Sequence, residues 1–278
     1  MTNYFTLDAV CGADDREDLL SAAITDGFCG YHESESDNGR VKLSICYCCI
    51  KAAEGVREVL AGKNYKVSQV SKIENRNWNE EWKKTITPVK ITDKIWVSPK
   101  WLPPKLEKGM DWIKIEPRMA FGTGHHETTR IAAELVSECG GKTLLDIGTG
   151  SGVLAFVAQL SGYVSITGIE IDEDCRENLS ENLIDNKGSA DIRFIIGGIE
   201  KISTRAKFDT IVMNVIRSQS APLLPDICKI LRKGGFLLWS GILIEEREAI
   251  IDEAGKFGFE LQSELKENEW WGGKFAKK

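Results

Sequence analysis

The run Asp146-Ile147-Gly148-Thr149-Gly150-Ser151-Gly152, followed one helix length later by Gly168-Ile169-Glu170-Ile171-Asp172, constrains this chain more than any other feature. An apolar strand entering a glycine-rich turn, then a helix, then a second strand ending in a carboxylate is the βαβ unit of an open α/β sheet. The glycines let the backbone approach a ligand, the helix N-terminus presents free N–H groups, and the acidic side chain accepts from ribose hydroxyls. Dinucleotide sites space their glycines G-x-G-x-x-G. Here the third glycine comes one residue early, which favours a methyltransferase over a dehydrogenase. Glu170, 22 positions after Gly148, is the candidate ribose acceptor, and Asp172 joins it only if the strand continues. The expected ligand is an adenosine-containing cofactor.

The pattern from Lys142 onward predicts strands at 143–147, 165–171, 191–196, 208–215 and 235–240. Helices are expected at 151–160, 173–186, 222–232 and 245–256, and a closing hairpin at 259–266 and 269–276. That alternation reads as α/β: a doubly wound, mostly parallel, seven-stranded Rossmann-like sheet. Residues 3–71 instead run strand (Tyr4 to Val10), helix (Asp14 to Thr25), strands (Phe28 to His32, Val41 to Cys46), helix (Ile50 to Leu60), strand (Tyr65 to Val70). This βαββαβ order predicts a small α+β ferredoxin-like domain. The expected division is 1–74 for that domain, 75–87 for a linker helix and 88–278 for the large domain. In the linker, Asn77 suits the N-cap and Glu80 a capping box, while Trp78 and Trp82 share one face, to pack between domains or to form a hinge. Pro88 to Pro104 reads as a connecting hairpin or edge segment, because Pro99, Pro103 and Pro104 exclude a helix interior or central strand.

Of the 278 residues 42% are hydrophobic and 28% charged, which suits a globular protein rather than a disordered one. A formal net charge of −6 argues against a broad phosphate-binding face, so no direct nucleic-acid partner is expected. The first residues lack a basic start and an apolar signal core, and no run of about 18 apolar residues exists. A cytoplasmic protein with reduced thiols is therefore expected, and no membrane association. Cys46-Tyr47-Cys48-Cys49 contains a C-x-x-C spacing, but without a second pair, and its alternating apolar context predicts core packing in a strand.

Two further stretches carry polar chemistry. Phe121-Gly122-Thr123-Gly124-His125-His126-Glu127-Thr128-Thr129 precedes a helix expected at 130–138 and forms a loop able to cover a ligand. His125 or His126 is a candidate base, whereas no ligand set for a metal accompanies them. The strand Phe208 to Met213 ends in Asn214, placing a carboxamide at the carboxyl edge where open α/β sheets bind substrate, its oxygen free to accept from an amine.

Taken together these residues resemble the ribosomal protein L11 methyltransferase family of class I S-adenosyl-L-methionine-dependent enzymes. The resemblance runs from about Asn77 to the C-terminus. It is carried by Asn77-Trp78-x-x-x-Trp82, Trp96-Val97-x-Pro99-x-Trp101, Pro117-x-Met119-Ala120 with the Phe121 to Thr129 stretch, and the glycine turn. Asn214-Val215-Ile216, Gly234-Gly235, Ser240-Gly241-Ile242-Leu243 and Glu269-Trp270 complete it. It implies that Thr129, Gly148, Glu170 and Asn214 contact S-adenosyl-L-methionine, with Phe121, Gly122, Thr123, Asp146 and Gly150 counted beside them. It implies Asn214 as the catalytic residue, ribosomal protein L11 as the substrate gripped by the N-terminal domain, and a monomer. The family follows Asn214 with an apolar residue and then Ala, whereas this chain has Ile216-Arg217, a departure at the substrate mouth. Open alternatives are a lysine methyltransferase of another protein such as electron-transfer flavoprotein, a small-molecule amine methyltransferase, and a catalytically silent cofactor-binding module.

Overall fold

The computed structural model describes residues 4–12, 15–36, 40–73, 86–118 and 120–278. The linker helix expected at Asn77 to Lys84, with Trp78 and Trp82, lies outside the described residues. The chain divides into two compact units, Met1–Ile86 and Thr87–Lys278.

The first unit contains β1 (Tyr4–Cys11), α1 (Arg16–Ala23), β2 (Phe28–Ser36), β3 (Arg40–Tyr47), α2 (Ile50–Gly62), β4 (Lys66–Val67) and β5 (Ser71–Ile73). Its antiparallel sheet has the order β2-β3-β1-β4, and β5 also pairs with β1. Alternate residues of β1 and β3, including Leu7, Ala9, Leu43, Ile45 and Tyr47, meet Leu19 and Ala23 of α1 and Ala53, Val56 and Leu60 of α2 in one core. The period-two burial of the strands and the roughly 3.5-residue spacing in α2 are the two amphipathic rhythms that let these elements share it. Of the strand expected over Tyr65 to Val70 only β4 forms, Ser68 turning back to hydrogen-bond the β1 backbone at Asp8, and β5 begins beyond it at Ser71.

The second unit begins with β6 (Val89–Lys90), β7 (Ile95–Ser98) and β8 (Asp111–Lys114), a small sheet in that order. The hairpin expected here exists as β6 and β7, whereas the parallel pairing of β7 with β8 was not legible in the proline-broken sequence. Then come α3 (Glu127–Cys139), β9 (Thr143–Ile147), α4 (Val153–Leu160), β10 (Ser165–Glu170), α5 (Cys175–Asp185), β11 (Asp191–Ile196), β12 (Phe208–Asn214), α6 (Arg217–Ser220) and α7 (Leu224–Ile230). The unit closes with β13 (Leu231–Leu243), α8 (Arg247–Lys256), β14 (Phe259–Glu267) and β15 (Trp270–Lys277).

The result is an α/β fold on a mixed sheet of order β11-β10-β9-β12-β13-β15-β14. The pairs from β11 to β13 are parallel, and β15 is antiparallel to both β13 and β14. Neighbouring residues of one strand go to opposite faces. Leu144, Val212 and Leu238 pack with α3 and α4, while Leu145, Ile211, Leu237 and Trp239 pack with α7 and α8. Burial on both faces explains the near-continuous apolar runs of these strands. The helix expected over 222–232 ends at Ile230, because Leu231 already enters the sheet beside Phe208. Trp239 and Trp271 are fully buried, and their indole N–H groups donate to Ser220 Oγ (3.0 Å) and Glu264 Oε2 (2.9 Å). No helix among the described residues is long and apolar enough to cross a membrane.

Candidate functional site

The carboxyl ends of β9, β10, β12 and β13 converge on the glycine turn. Gly148, Gly150 and Gly152 all have positive φ (71°, 53° and 83°), the left-handed region that side chains resist. The requirement is sharpest at Gly150, where an added Cβ would lie 2.4 Å from the carbonyl oxygen of Phe121. That loop is strapped to the turn: Ser151 N donates to Phe121 O (2.9 Å) and Ser151 Oγ to Gly122 O (2.8 Å). At Gly148 a Cβ would meet Val215 Cγ2 at 2.8 Å, which brings the end of β12 against the turn.

Glu170 ends β10, as the expected acceptor should, and Asp172 lies beyond the strand. The Glu170 carboxylate accepts from Gly150 N (2.9 Å) and from Asp172 N (3.1 Å), so its orientation is set by the turn itself. Asn214 pairs in register with Ser240 of β13, and Ser240 Oγ donates to Thr128 O (3.0 Å). This ties the first turn of α3 to the strand ends. Ser240 was not singled out in the sequence as a positioning group. Its only signal was its place in the Ser240-Gly241 stretch.

Three polar atoms here are buried and make no hydrogen bond among the described residues: Thr129 Oγ1, Asp146 Oδ1 and Asn214 Oδ1. Buried polar atoms are nearly always paired, so a group of orphans around a glycine cradle marks where a polar ligand belongs. The donor set suits S-adenosyl-L-methionine: a carboxylate for ribose, a backbone approach without side chains, and acceptors for an ammonium group.

Asp146 is fully buried, with Thr149 Oγ1 donating to its Oδ2 (2.5 Å). Burial pushes its carboxyl up to about 7 from 3.8; the Thr149 hydrogen bond opposes this and the Glu170 charge adds to it. The folded value is raised, so this contribution to stability is complete below pH 3.8 and is lost as pH rises through about 7. Asp146→Asn is therefore expected to remove a decline on the order of 3 kcal/mol between pH 5 and pH 8. Urea denaturation of both proteins at the two pH values checks it. Equal pH slopes would show that Asp146 does not titrate in this window.

Helix α3 starts at Glu127, three residues before its expected start, because His126 is its N-cap and accepts from Thr128 N (3.3 Å). The ring nitrogens of His125 lie 3.4 Å from Thr123 Oγ1 and 3.0 Å from Thr87 O. In this arrangement both histidines hold structure rather than stand free as bases. His126 also makes edge contacts with Phe121 (5.4 Å between ring centres) and Trp270 (5.0 Å). Phe121 is half exposed. Arg217, at the departure after Asn214, pairs with Glu253 of α8 (2.6 Å). The C-x-x-C segment departs from expectation: Cys48 and Cys49 are exposed and Cys46 only half-buried, because Tyr47 takes the core-facing position. No metal-ligand cluster is found among the described residues.

Comparison with known proteins follows the same line. The family model described as "Ribosomal protein L11 methyltransferase (PrmA)" matches residues 31–278. The chain is 35% identical over 210 residues to a ribosomal protein L11 methyltransferase of Clostridium perfringens, covering 73% of this chain and 64% of that protein. A Streptococcus pyogenes protein of the same name is 32% identical over 218 residues, covering 76% of this chain and 68% of its own length. Thus the chain spans under two thirds of the length of the Clostridium relative. The crystal structure of a ribosomal protein L11 methylase from Lactobacillus delbrueckii superposes with a TM-score of 0.62 at 25% identity, covering 69% of this chain and all of that one. With the glycine cradle, Glu170 and Asn214 in place, this chain belongs to the ribosomal protein L11 methyltransferase family.

Proposed function

We propose that the chain transfers methyl groups from S-adenosyl-L-methionine to amino groups of ribosomal protein L11, on lysine side chains, the N-terminal amine or both. The observation that carries this reading is that Asp146 Oδ1 in β9 and Asn214 Oδ1 at the end of the adjacent β12, with Thr129 Oγ1 in α3, are buried and unpaired among the described residues, beside a turn too tight for any side chain at Gly150. In this reading residues 88–278 form a doubly wound, Rossmann-like methyltransferase domain. Residues 1–74 form a ferredoxin-like substrate-recognition domain, for which the β2-β3-β1-β4 order is the support, and 75–87 link the two.

Glu170 accepts the ribose hydroxyls, Gly148 and Gly150 let the backbone close on the cofactor, and Thr129 and Asp146 receive its polar groups. Phe121, Gly122 and Thr123 cover it. When bound, the cofactor supplies an electrophilic methyl group, so the protein needs no covalent nucleophile of its own. Asn214 Oδ1 accepts an N–H of the incoming amine and aims its lone pair; good alignment in favourable cases is worth about 7–11 kcal/mol. Only a neutral amine attacks. An α-amine, with a pKa of about 7.7–8, costs about 1 kcal/mol to deprotonate at pH 7, whereas lysine at about 10.4 costs roughly 4.6 kcal/mol. The loop carrying His125 and His126 excludes water and so lowers that cost for lysine.

The test is methyl transfer from labelled cofactor to three acceptors offered separately: ribosomal protein L11, electron-transfer flavoprotein and a free primary amine. Label on ribosomal protein L11, located by mass spectrometry, is the expected result. Equal labelling of the free amine would overturn the protein-substrate reading.

A further inference from the structure

Three thiols unrelated to the cradle meet on the outer face of the small unit's sheet. Strands β2 and β3 pair Phe28 with Tyr47 and Gly30 with Cys46, so Cys29 is the extra residue of a bulge. Phe28 and Tyr47 contact edge to face at 6.1 Å, with Tyr47 in the core. Cys46, next to Tyr47 in β3, is therefore turned to the other face, with Cys29 the bulged residue opposite it and Cys48 just past the strand end. Cys29 and Cys48 are exposed and Cys46 is half-buried.

The Gly27 peptide is the meeting point. Cys29 Sγ lies 3.5 Å from Gly27 O, which also accepts from Cys48 N (2.9 Å). Gly27, at φ 89°, has no side chain, and the position its Cβ would take is 3.6 Å from Cys48 Sγ. Both sulfurs thus rest on one peptide. The Cys29 side chain interacts with those of both Cys46 and Cys48.

We propose that Cys29 and Cys48 form a reversible oxidation site that reacts with peroxides, with Cys46 as a third thiol able to exchange into the bond. The Cys29 sulfur attacks one peroxide oxygen, the O–O bond breaks, and with hydrogen peroxide the products are a sulfenic acid and water. The Cys48 thiol then attacks the sulfenic sulfur, forming the S–S bond and releasing a second water. In all, two thiols lose two protons and two electrons to the peroxide. Desolvation, then the adjacent Cys48 and Cys46 sulfurs, raise the Cys29 thiol above its ordinary value, so its thiolate, the form that attacks the peroxide, gains as pH rises.

The full-length chain is treated with hydrogen peroxide, alkylated after denaturation and digested with trypsin. Arg16, Arg40, Lys42 and Lys51 place Cys29 on one fragment and Cys46, Cys48 and Cys49 together on another. The expected product is a cross-link between these fragments, reversed by a dithiol, with Cys11, Cys139 and Cys175 still alkylated. In Cys48→Ser the cross-link forms more slowly, through Cys46. Far-ultraviolet circular dichroism identical to the parent shows that the variant folds. Oxidation that stops at separate sulfinic or sulfonic acids, a bond confined to Cys46, Cys48 and Cys49, or a cross-link that forms as fast in Cys48→Ser as in the parent would overturn the proposal.

Discussion

Gly150→Ala is expected to lower stability by about 2–4 kcal/mol and to abolish measurable cofactor binding. Two costs add at this position. The backbone is left-handed, at φ 53°, and the new methyl would sit 2.4 Å from a backbone oxygen rather than from a side chain that swings away. Phe121 cannot retreat without breaking the Ser151 hydrogen bonds that hold its loop to the turn. Gly162→Ala is the control: its φ of 93° carries the backbone cost, but no atom lies within 4 Å of its Cβ position. Urea denaturation should show a much lower midpoint for Gly150→Ala than for Gly162→Ala, with unchanged slope. Equal midpoints would mean that the loop over the turn is not held as described.

Asn214→Ala is expected to separate stability from turnover. Its Oδ1 makes no hydrogen bond among the described residues, so the fold loses no side-chain acceptor partnership when that oxygen is removed. The stability measured by urea denaturation should change by about 1 kcal/mol or less. Methyl transfer with saturating cofactor should fall about 100-fold, equivalent to about 2.7 kcal/mol of transition-state positioning. A large loss of stability with turnover intact would make Asn214 a structural residue and leave the amine without an acceptor.

The features that could be read in the sequence were those fixed by local chemistry. Strands β9 to β12 show as apolar runs because both faces of the sheet are covered, and Glu170 and Asn214 show because each ends such a run. What escaped depended on distant partners. Strand β8 is four residues long and exists through its parallel neighbour β7. The end of α7 is set by Leu231 meeting Phe208, not by a local stop signal. The two histidines look like chemistry in a one-dimensional string, yet the fold spends His126 on capping α3 and holds His125 against Thr87. The cysteine segment alternates like a core strand in the sequence, yet Tyr47 alone carries the core-facing duty of β3 at that point.

The bonding of Glu170 has a consequence for variation at that position. Its two oxygens already receive backbone N–H groups, from Gly150 and from Asp172. Glutamine has nearly the same shape, but its amide nitrogen would have to face one of those donors with a donor of its own. The turn therefore demands a carboxylate for its own folding, whatever occupies the cradle. A single negative charge serves two masters, and an isosteric amide cannot satisfy even the nearer one.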